Sequence, residues 1–300
     1  MANTRLVAIV TMSLIGLANP VAWTGAPAAE REAIAEMVGP GTVSTAAREF
    51  ATSLLPDGTE LYFNRPGAAG GWHIWLAEAV PGGFSSPAAL WFSDARYNDL
   101  DPFVSRNGDR LYFSSNRPLP GAASEAATPD TNSWYAPRQG DAWGAPVFIR
   151  GAVNSASAET FVSESADGQL IFARFGEGSG RARAAYLMTA QRRGDGFSDP
   201  VQIPVTPVGL RLTNPAISPD GRLIIGAAAL GGPPQLYISR LDDAGTWGPF
   251  SRLPAPINLE GARSFAPYIA NDGKTLYFAS DRSPWKGGGG DDIYRARLPE

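Results

Sequence analysis

The stretch "ANDGKTLYFASDR", residues 270–282, decides the fold. Its Asp-Gly pair favours a tight turn, and the β-forming residues that follow predict a hairpin. Similar stretches occur at four other places: "LPDGTELYFNRP" (55–66), "RNGDRLYFSSNRP" (106–118), "SADGQLIFARFG" (165–176) and "SPDGRLIIGAAA" (218–229). The turn residues Asp57, Asn107, Asp167, Asp220 and Asp272 are 50, 60, 53 and 52 residues apart. A period in this range is typical of a repeat architecture.

The repeated unit extends beyond the hairpin. In three copies a proline stands five positions before the turn residue, at Pro102, Pro215 and Pro267. Each hairpin is followed by a loop and a third apolar segment. In four copies an aromatic residue then precedes a proline: Phe84 and Pro87, Trp143 and Pro146, Phe197 and Pro200, Trp247 and Pro249. This pair introduces a fourth short strand, and four antiparallel strands repeated radially form the blades of a β-propeller.

The two ends of the chain together make one repeat. The last copy stops soon after its third strand, and the segment from residue 29 to the first turn supplies the missing length. "AREFATSLLPDG" (47–58) also matches "ARSFAPYIANDG" (262–273) at six positions. We therefore predict an all-β, five-bladed propeller of four-stranded blades, closed by the N-terminal segment, with residues 41–48 as the outer strand of the last blade. A six-bladed ring is the alternative.

These repeats resemble a known family. The "SPDG", "LYF", "SNRP" and "SDR" phrases are similar to the WD-like propeller repeat of the TolB type over residues 47–300. The resemblance implies an exported bacterial propeller. Functions in that family range from binding modules associated with peptidoglycan to propeller domains attached to peptidases. The resemblance is therefore specific for the fold and unspecific for the function.

Composition limits the classes of partner. Apolar residues make up 44% of the 300-residue chain, enough for a packed core, and the 34 glycines and 26 prolines suit a turn-rich β structure. The net charge of −4 argues against nucleic-acid binding, which normally needs a basic patch. The sequence has no cysteine, which excludes disulfides and a lipoprotein anchor. We expect a monomer.

The first 28 residues predict a secretory signal peptide. Arg5 precedes an apolar stretch of 13 residues, and "APA" at 26–28 is a small-residue cleavage site. An uncleaved membrane anchor is the alternative, although the stretch is short for a span of about 20 residues. Residues 29–40 are expected to form a linker or short helix, and residues 41–300 the propeller. The mature protein is then periplasmic or secreted, without a membrane span.

Most catalytic motifs are missing from the sequence. His73 is the only histidine, so multi-histidine metal sites and zincin motifs are excluded, and no G-x-S-x-G nucleophile motif occurs. The glycine runs at 176–180 and 286–292 lack the order of a phosphate-binding loop. We predict no cofactor and no metal site.

One group of polar residues is a candidate site. Eight positions before the turn residue, three consecutive copies carry the carboxylates Glu49, Asp99 and Glu159. Asp101 and Asn214 lie two positions further along in their copies. We expect this set at the mouth of the central channel, where it could bind a ligand. If the protein is an enzyme, Glu49, Asp99, Asp101 and Glu159 could act as acid and base of a carbohydrate-active hydrolase or lyase. Alternatively, they cap backbone amides.

Two further predictions concern other parts of the repeat. Arg65, Arg117 and Arg282 follow the second strands, and we expect them to form hydrogen bonds between blades. Long loops between the second and third strands lie on one face of the ring, and such loops are often functional. We therefore expect a protein or cell-envelope glycan to bind on this face, with Trp285 and the 114–131 loop as contacts. A non-enzymatic binding or scaffolding module is the first hypothesis.

Overall fold

The computed structural model describes residues 34–176, 183–282 and 290–299. All the regular secondary structure in these ranges is β. No helix in this part of the chain is long and apolar enough to cross a membrane. The predicted signal peptide, residues 29–33 and Trp285 lie outside the described residues.

Each blade is an antiparallel sheet whose strands follow one another from the centre of the ring outward. Blade 1 consists of β2 (Phe50–Leu54), β3 (Glu60–Pro66), β4 (Trp72–Val80), β5 (Gly83–Phe84) and β6 (Ala88–Ala89). Blade 2 consists of β7 (Asp99–Val104), β8 (Arg110–Ser115), β9 (Asn132–Gln139), β10 (Ala142–Trp143) and β11 (Val147–Phe148). Blade 3 consists of β12 (Glu159–Glu164), β13 (Gln169–Phe175), β14 (Ala185–Arg193), β15 (Gly196–Phe197) and β16 (Val201–Gln202). Blade 4 consists of β17 (Thr213–Ile217), β18 (Leu223–Ala228), β19 (Gln235–Arg240) and β20 (Ser251–Arg252). Blade 5 consists of β21 (Ser264–Ile269), β22 (Thr275–Ser280), β23 (Asp292–Arg297) and, from the N-terminal segment, β1 (Glu36–Met37). In blades 1 to 3 the fourth strand consists of two short pieces that both pair with the third strand.

The innermost strands close a ring of five. Strands β2, β7, β12, β17 and β21 each contact the next, and β21 contacts β2 again. The prediction of five blades is therefore confirmed, and the six-bladed alternative is wrong.

The N-terminal segment completes blade 5, as predicted, but with residues earlier than expected. β1 pairs antiparallel with β23, so that Glu36 lies opposite Arg295 and Met37 opposite Tyr294. Residues 41–48, the predicted outer strand, instead begin in a turn, in which Val43 and Ser44 donate backbone hydrogen bonds to the carbonyl of Gly39. That turn needs positive φ at Gly39 and Gly41, which glycine adopts without strain. Within the segment 29–40, the strand at Glu36–Met37 lies where we expected a linker or short helix.

The core lies between neighbouring blades, because a blade buries both faces only when it packs on others. Trp143 of blade 2 is buried against Tyr62 of blade 1, with ring centroids 6.0 Å apart. Its indole Nε1 donates a 2.8 Å hydrogen bond to the Tyr62 hydroxyl, so its one polar atom is satisfied. Trp247 packs, half-buried, against the cluster around Ile224 and Phe250. These contacts explain the aromatic residue near the end of the repeat in blades 2 and 4.

The ring has two faces, which we name by their connections. The turn face carries the five Asp-Gly and Asn-Gly turns. The loop face carries the connections from second to third strands, such as residues 116–131 and 229–234, together with the starts of the innermost strands. The candidate carboxylates lie toward the loop face.

Candidate functional site

Glu49, Asp99 and Glu159 occupy the same position in blades 1, 2 and 3, at the start of the innermost strand. All three side chains are fully buried. Their carboxylates belong to separate hydrogen-bond networks, each built around an arginine of the same blade. Each of the three acids therefore has the same role in its own blade, and the three do not form one common site.

Glu49 and Glu159 have matching surroundings. Glu49 Oε1 accepts a 2.8 Å hydrogen bond from Arg65 Nε and a 2.6 Å bond from the Thr45 hydroxyl. Glu159 Oε1 accepts a 2.8 Å bond from Arg174 Nε and a 2.5 Å bond from the Ser155 hydroxyl. In each case the other carboxylate oxygen accepts the backbone N–H of that same threonine or serine. Burial raises the pKa of Glu159, and these hydrogen bonds oppose the rise.

Asp99 uses a different arginine position for the same purpose. Strand pairing places Ser115 opposite Asp99, and Arg117 lies two residues further along. Arg117 binds Asp99 through Nε and Nη2 at 3.0 and 2.6 Å, and the Ser115 hydroxyl adds a 2.8 Å bond. Burial raises the pKa of Asp99, and the bidentate guanidinium pair opposes that shift.

The arginines also join each blade to the connection that enters it. Arg65 Nη2 donates to the carbonyl oxygens of Thr42 and Val43, and Arg117 Nη2 to that of Phe92. Arg282 donates in the same way to the carbonyls of Pro256 and Ile257. These bonds fit the expected structural role of the three arginines. Sequence reasoning missed Arg174, which lacks the Asn-Arg-Pro context, although it stands seven residues after its turn residue, next to the position of Arg65, which stands eight after its own.

Blade 4 lacks this ion pair altogether. Leu212 occupies the position of Glu159, and Ala228 that of Arg174. Blade 5 keeps its arginine but has Ser264 in place of the acid, and Arg282 donates a 3.1 Å bond to the Ser264 hydroxyl. Five-fold symmetry is therefore broken most strongly at blade 4.

A ring of unusual backbone conformations surrounds the central axis. Two residues after the acid position, every innermost strand has a non-glycine residue with positive φ: Ala51, Asp101, Phe161, Asn214 and Ala266, with φ from 48° to 58°. A register shift in each strand pairing marks a β-bulge at the same place. Asparagine and aspartate tolerate this left-handed region better than other side chains with a Cβ. The bulge thus accounts for the polar residue at this position in two of the five copies.

The axis itself has little open space. Asp101 borders a cavity of about 20 Å³, enclosed by residues that include Pro102, Phe161 and Tyr268. A cavity of this size holds about one water molecule. Asp101 is buried, and its carboxylate hydrogen-bonds to Ser114 and to the backbone N–H of Phe161. Burial dominates and raises its pKa to about 7. Neither Glu49, Asp99 nor Glu159 borders this cavity.

Arg106 closes the axis on the turn face. Its guanidinium donates hydrogen bonds of 2.8 to 2.9 Å to the backbone carbonyls of Glu164, Ile217 and Ile269. It therefore links its own blade 2 to blades 3, 4 and 5. Burial lowers the pKa of Arg106, and the nearby Tyr268 and Glu164 side chains oppose that shift.

The largest open feature we find in the described residues is a cleft of about 950 Å³ on the loop face. It lies over blade 4, beside the small residues Ala228 and Ala229, where the arginine of the other blades is missing. Its lining residues come from blades 1, 3, 4 and 5: Arg48, Phe175, Arg183, Ala185, Arg211, Thr213, Asn214, Ala228, Ala229, Gly232, Pro233, Pro234, Arg263 and Phe265. Of the candidate residues that the structure describes, only Asn214 lines this cleft.

Two other predicted features have clear positions. His73 lies on β4, nearly buried, opposite Arg65, which is typical of a structural histidine. In the 114–131 loop, Asp130 accepts a 2.6 Å hydrogen bond from Arg183, so this loop supports a wall of the cleft. Trp285, the other expected contact, lies outside the described residues.

Comparisons with known proteins identify the fold more clearly than the function. No protein-family model matches the sequence, and no curated protein matches it. Among solved structures, an endo-arabinase from Bacteroides thetaiotaomicron VPI-5482 is 11% identical, with a TM-score of 0.56 over 86% of this chain and 97% of that chain. The α-L-arabinofuranosidase PaAbf62A from Podospora anserina is 9% identical, with a TM-score of 0.53 over 88% and 95%.

TolB from Acinetobacter baumannii is also similar, at 15% identity and a TM-score of 0.49. The match covers 85% of this chain and 55% of the TolB chain, so this chain spans about half of that protein. A TM-score at this level supports no functional comparison. At such identities, the likeness to the two arabinan-class enzymes shows the propeller fold alone.

Proposed function

We propose that this protein is an exported β-propeller that binds a protein or a cell-envelope component on its loop face and has no hydrolytic site. The observation that carries the proposal is the burial of Glu49, Asp99 and Glu159, each in an ion pair with its own arginine. In blades 1 to 3 these pairs hold each blade to the connection that enters it, and they leave the carboxylates without access to a substrate.

The alternative, a carbohydrate-active hydrolase or lyase, makes different demands on the same residues. Two catalytic carboxyl groups must face one open site at a separation of about 5 to 9.5 Å. Asp101 has the raised pKa of a general acid, but the cavity beside it holds about one water molecule. The geometry therefore favours a structural role for all four acids.

Enzyme activity can be tested directly. The purified protein should release no reducing sugar from arabinan, xylan or peptidoglycan. Glycan cleavage that Glu49→Gln and Glu159→Gln abolish, in proteins that remain folded, would establish the alternative function.

Binding on the loop face is tested with two matched variants. One shortens the 116–131 connection by removing residues 119–124, and the other combines Arg193→Ala with Asp195→Ala on the turn face. The loop variant should lose cross-linked partners from an envelope extract, and the turn variant should keep them. The opposite result would place the binding surface on the turn face.

Export is the remaining part of the proposal. The predicted signal peptide supports it, and N-terminal sequencing of protein from the periplasmic fraction should give a start near Ala29. An N-terminus at Met1 in that fraction would contradict cleavage.

A further inference from the structure

The cleft on the loop face has an unusual charge distribution. Among the described residues, its charged lining residues are all arginines: Arg48, Arg183, Arg211 and Arg263. Three of them, Arg48, Arg211 and Arg263, occupy the same repeat position, nine residues before the turn residue, in the adjacent blades 4, 5 and 1. The propeller geometry therefore brings three equivalent guanidinium groups to one side of the ring.

Three of the four arginines are held in place from behind. The buried carboxylate of Asp291 binds Arg48 at 2.7 Å through one oxygen and Arg263 through the other. Asp281 also binds Arg263, at 3.1 Å, and Asp130 binds Arg183 at 2.6 Å. These acids lie outside the lining of the cleft, and they orient the arginines before any ligand arrives. Such preorganisation reduces the entropic cost of binding.

Arg211 differs from the other three. It is exposed, and within the described ranges it has no hydrogen-bonding or ionic partner. Among the described residues, Arg211 is thus the one arginine of the cleft without a carboxylate partner. The planar guanidinium binds a carboxylate through two parallel hydrogen bonds. Arg211 is therefore the group most available to receive an anion.

The rest of the lining indicates the kind of ligand. Phe175, Phe265, Pro233 and Pro234 provide apolar walls, and the cavity has a volume typical of sites for small molecules or chain segments. A neutral glycan has no anionic group to pair with the Arg211 guanidinium. The uncharged polar side chains in the lining are Thr213 and Asn214, and the Thr213 hydroxyl already contacts the Ala227 carbonyl at 3.2 Å. These features favour a peptide.

We propose that the cleft over blade 4 binds a peptide segment in which a carboxylate is flanked by apolar side chains. Arg211 receives the carboxylate, Phe175 and Phe265 contact the apolar side chains, and the Asn214 amide donates to the peptide backbone. This inference rests on the proposed function, since it specifies the partner that the loop face recognises.

The test begins with a phage library of random seven-residue peptides, selected on the mature full-length protein. The wild type should enrich sequences that contain Asp or Glu next to apolar residues. Arg211→Ala should lose this enrichment. Arg193→Ala removes an exposed arginine from the turn face and should retain it. Enrichment without acidic residues, or no enrichment at all, would overturn the proposal.

The strongest selected peptide is then synthesised with a fluorescent label, together with a version in which its acid is replaced by the amide. Anisotropy titrations should show about 10- to 100-fold weaker binding for Arg211→Ala, the range expected for charge-assisted hydrogen bonds. The amide peptide should lose a similar factor on the wild type and little more on the variant. Arg211→Lys should bind with intermediate affinity because it keeps the charge and loses the planar fork. Equal affinities for wild type and Arg211→Ala would refute the assignment.

An acidic glycan is the competing class of ligand, and it can be tested at the same site. Trigalacturonic acid carries carboxylates on a polar glycan, and we expect it not to compete with the peptide at millimolar concentration. Binding of this glycan that depends on Arg211, without peptide enrichment, would replace the peptide by an acidic glycan. If Arg211→Ala leaves partner capture intact while shortening of the 116–131 connection abolishes it, this inference fails and the proposed function stands.

Discussion

Replacement of Asp101 by asparagine should remove one cause of the loss of stability at higher pH. Asp101 lies buried in the left-handed region with φ of 58°, and Asn214 occupies the equivalent position of blade 4 with φ of 51°. The backbone therefore already accepts asparagine at this position in the repeat. The amide oxygen can still accept the hydrogen bond from the Phe161 N–H, so the substitution mainly removes the titrating group.

The sign of the effect follows from the shift in pKa. Burial raises the pKa of Asp101 from 3.8 to about 7 in the folded protein. The folded state then binds the proton more tightly than the unfolded chain, so the contribution of Asp101 to stability is highest below pH 3.8 and is lost as the pH passes about 7. At 1.36 kcal/mol per pKa unit, the free energy of unfolding of the wild type should fall by about 2 to 3 kcal/mol between pH 5 and pH 8 from this group. Asp101→Asn should lack this contribution to the fall.

Urea unfolding followed by tryptophan fluorescence, at pH 5 and pH 8, measures the difference. Burial also raises the pKa of Glu164 to about 7, but this group is present in both proteins and cancels when they are compared. Asn214→Asp is the matched control. Its site is only half-buried, so the introduced acid should give a smaller pH dependence than Asp101. Parallel pH profiles for wild type and Asp101→Asn would refute the reasoning.

Three other predictions concern the ring. Arg106→Ala should lower the free energy of unfolding by about 3 to 5 kcal/mol in urea titrations, because three buried carbonyls lose a charged donor; a loss below about 1 kcal/mol would contradict its role in joining four blades. A chain that begins at residue 39 should melt earlier and aggregate more in light scattering than one that begins at residue 29, because β23 becomes an open edge; equal behaviour would exclude β1 as the closing strand. Glu49→Leu and Arg65→Ala should each cost about 3 to 5 kcal/mol in urea titrations, whereas the double variant, which copies blade 4, should cost clearly less than their sum; additive losses would show that the pair is not coupled.

The sequence predicted the architecture well because turn chemistry and period are local signals. An Asp-Gly pair specifies its turn by backbone conformation alone, and five such pairs at similar spacing leave few folds available. The position of the closing strand was harder to predict. Strand β1 has two residues and lacks a hydrophobic pattern, and its place depends on pairing with β23 at the far end of the chain.

The candidate site was only partly predictable, for a different reason. The repeat position of Glu49, Asp99 and Glu159 was visible in the sequence. Their burial depends on partner arginines, which lie in the second strand of blades 1 and 3 but just after it in blade 2. The cleft depends on what blade 4 lacks, namely the ion pair that Leu212 and Ala228 replace. The signal for its arginines was present in the aligned copies, at the position shared by Arg48, Arg211 and Arg263, one residue before the position that carries an acid in blades 1 to 3.

The pairing of β1 with β23 also determines how the molecule can be attached to a surface. Ile34 and Arg297 both line a pocket beside the turn residue Asp272, so the described chain lies on the turn face near both of its ends. The cleft opens on the opposite side of the ring. A biotin tag or fusion partner at either terminus would thus leave the cleft pointing away from a sensor chip or bead. Attachment through a loop-face side chain would hide it.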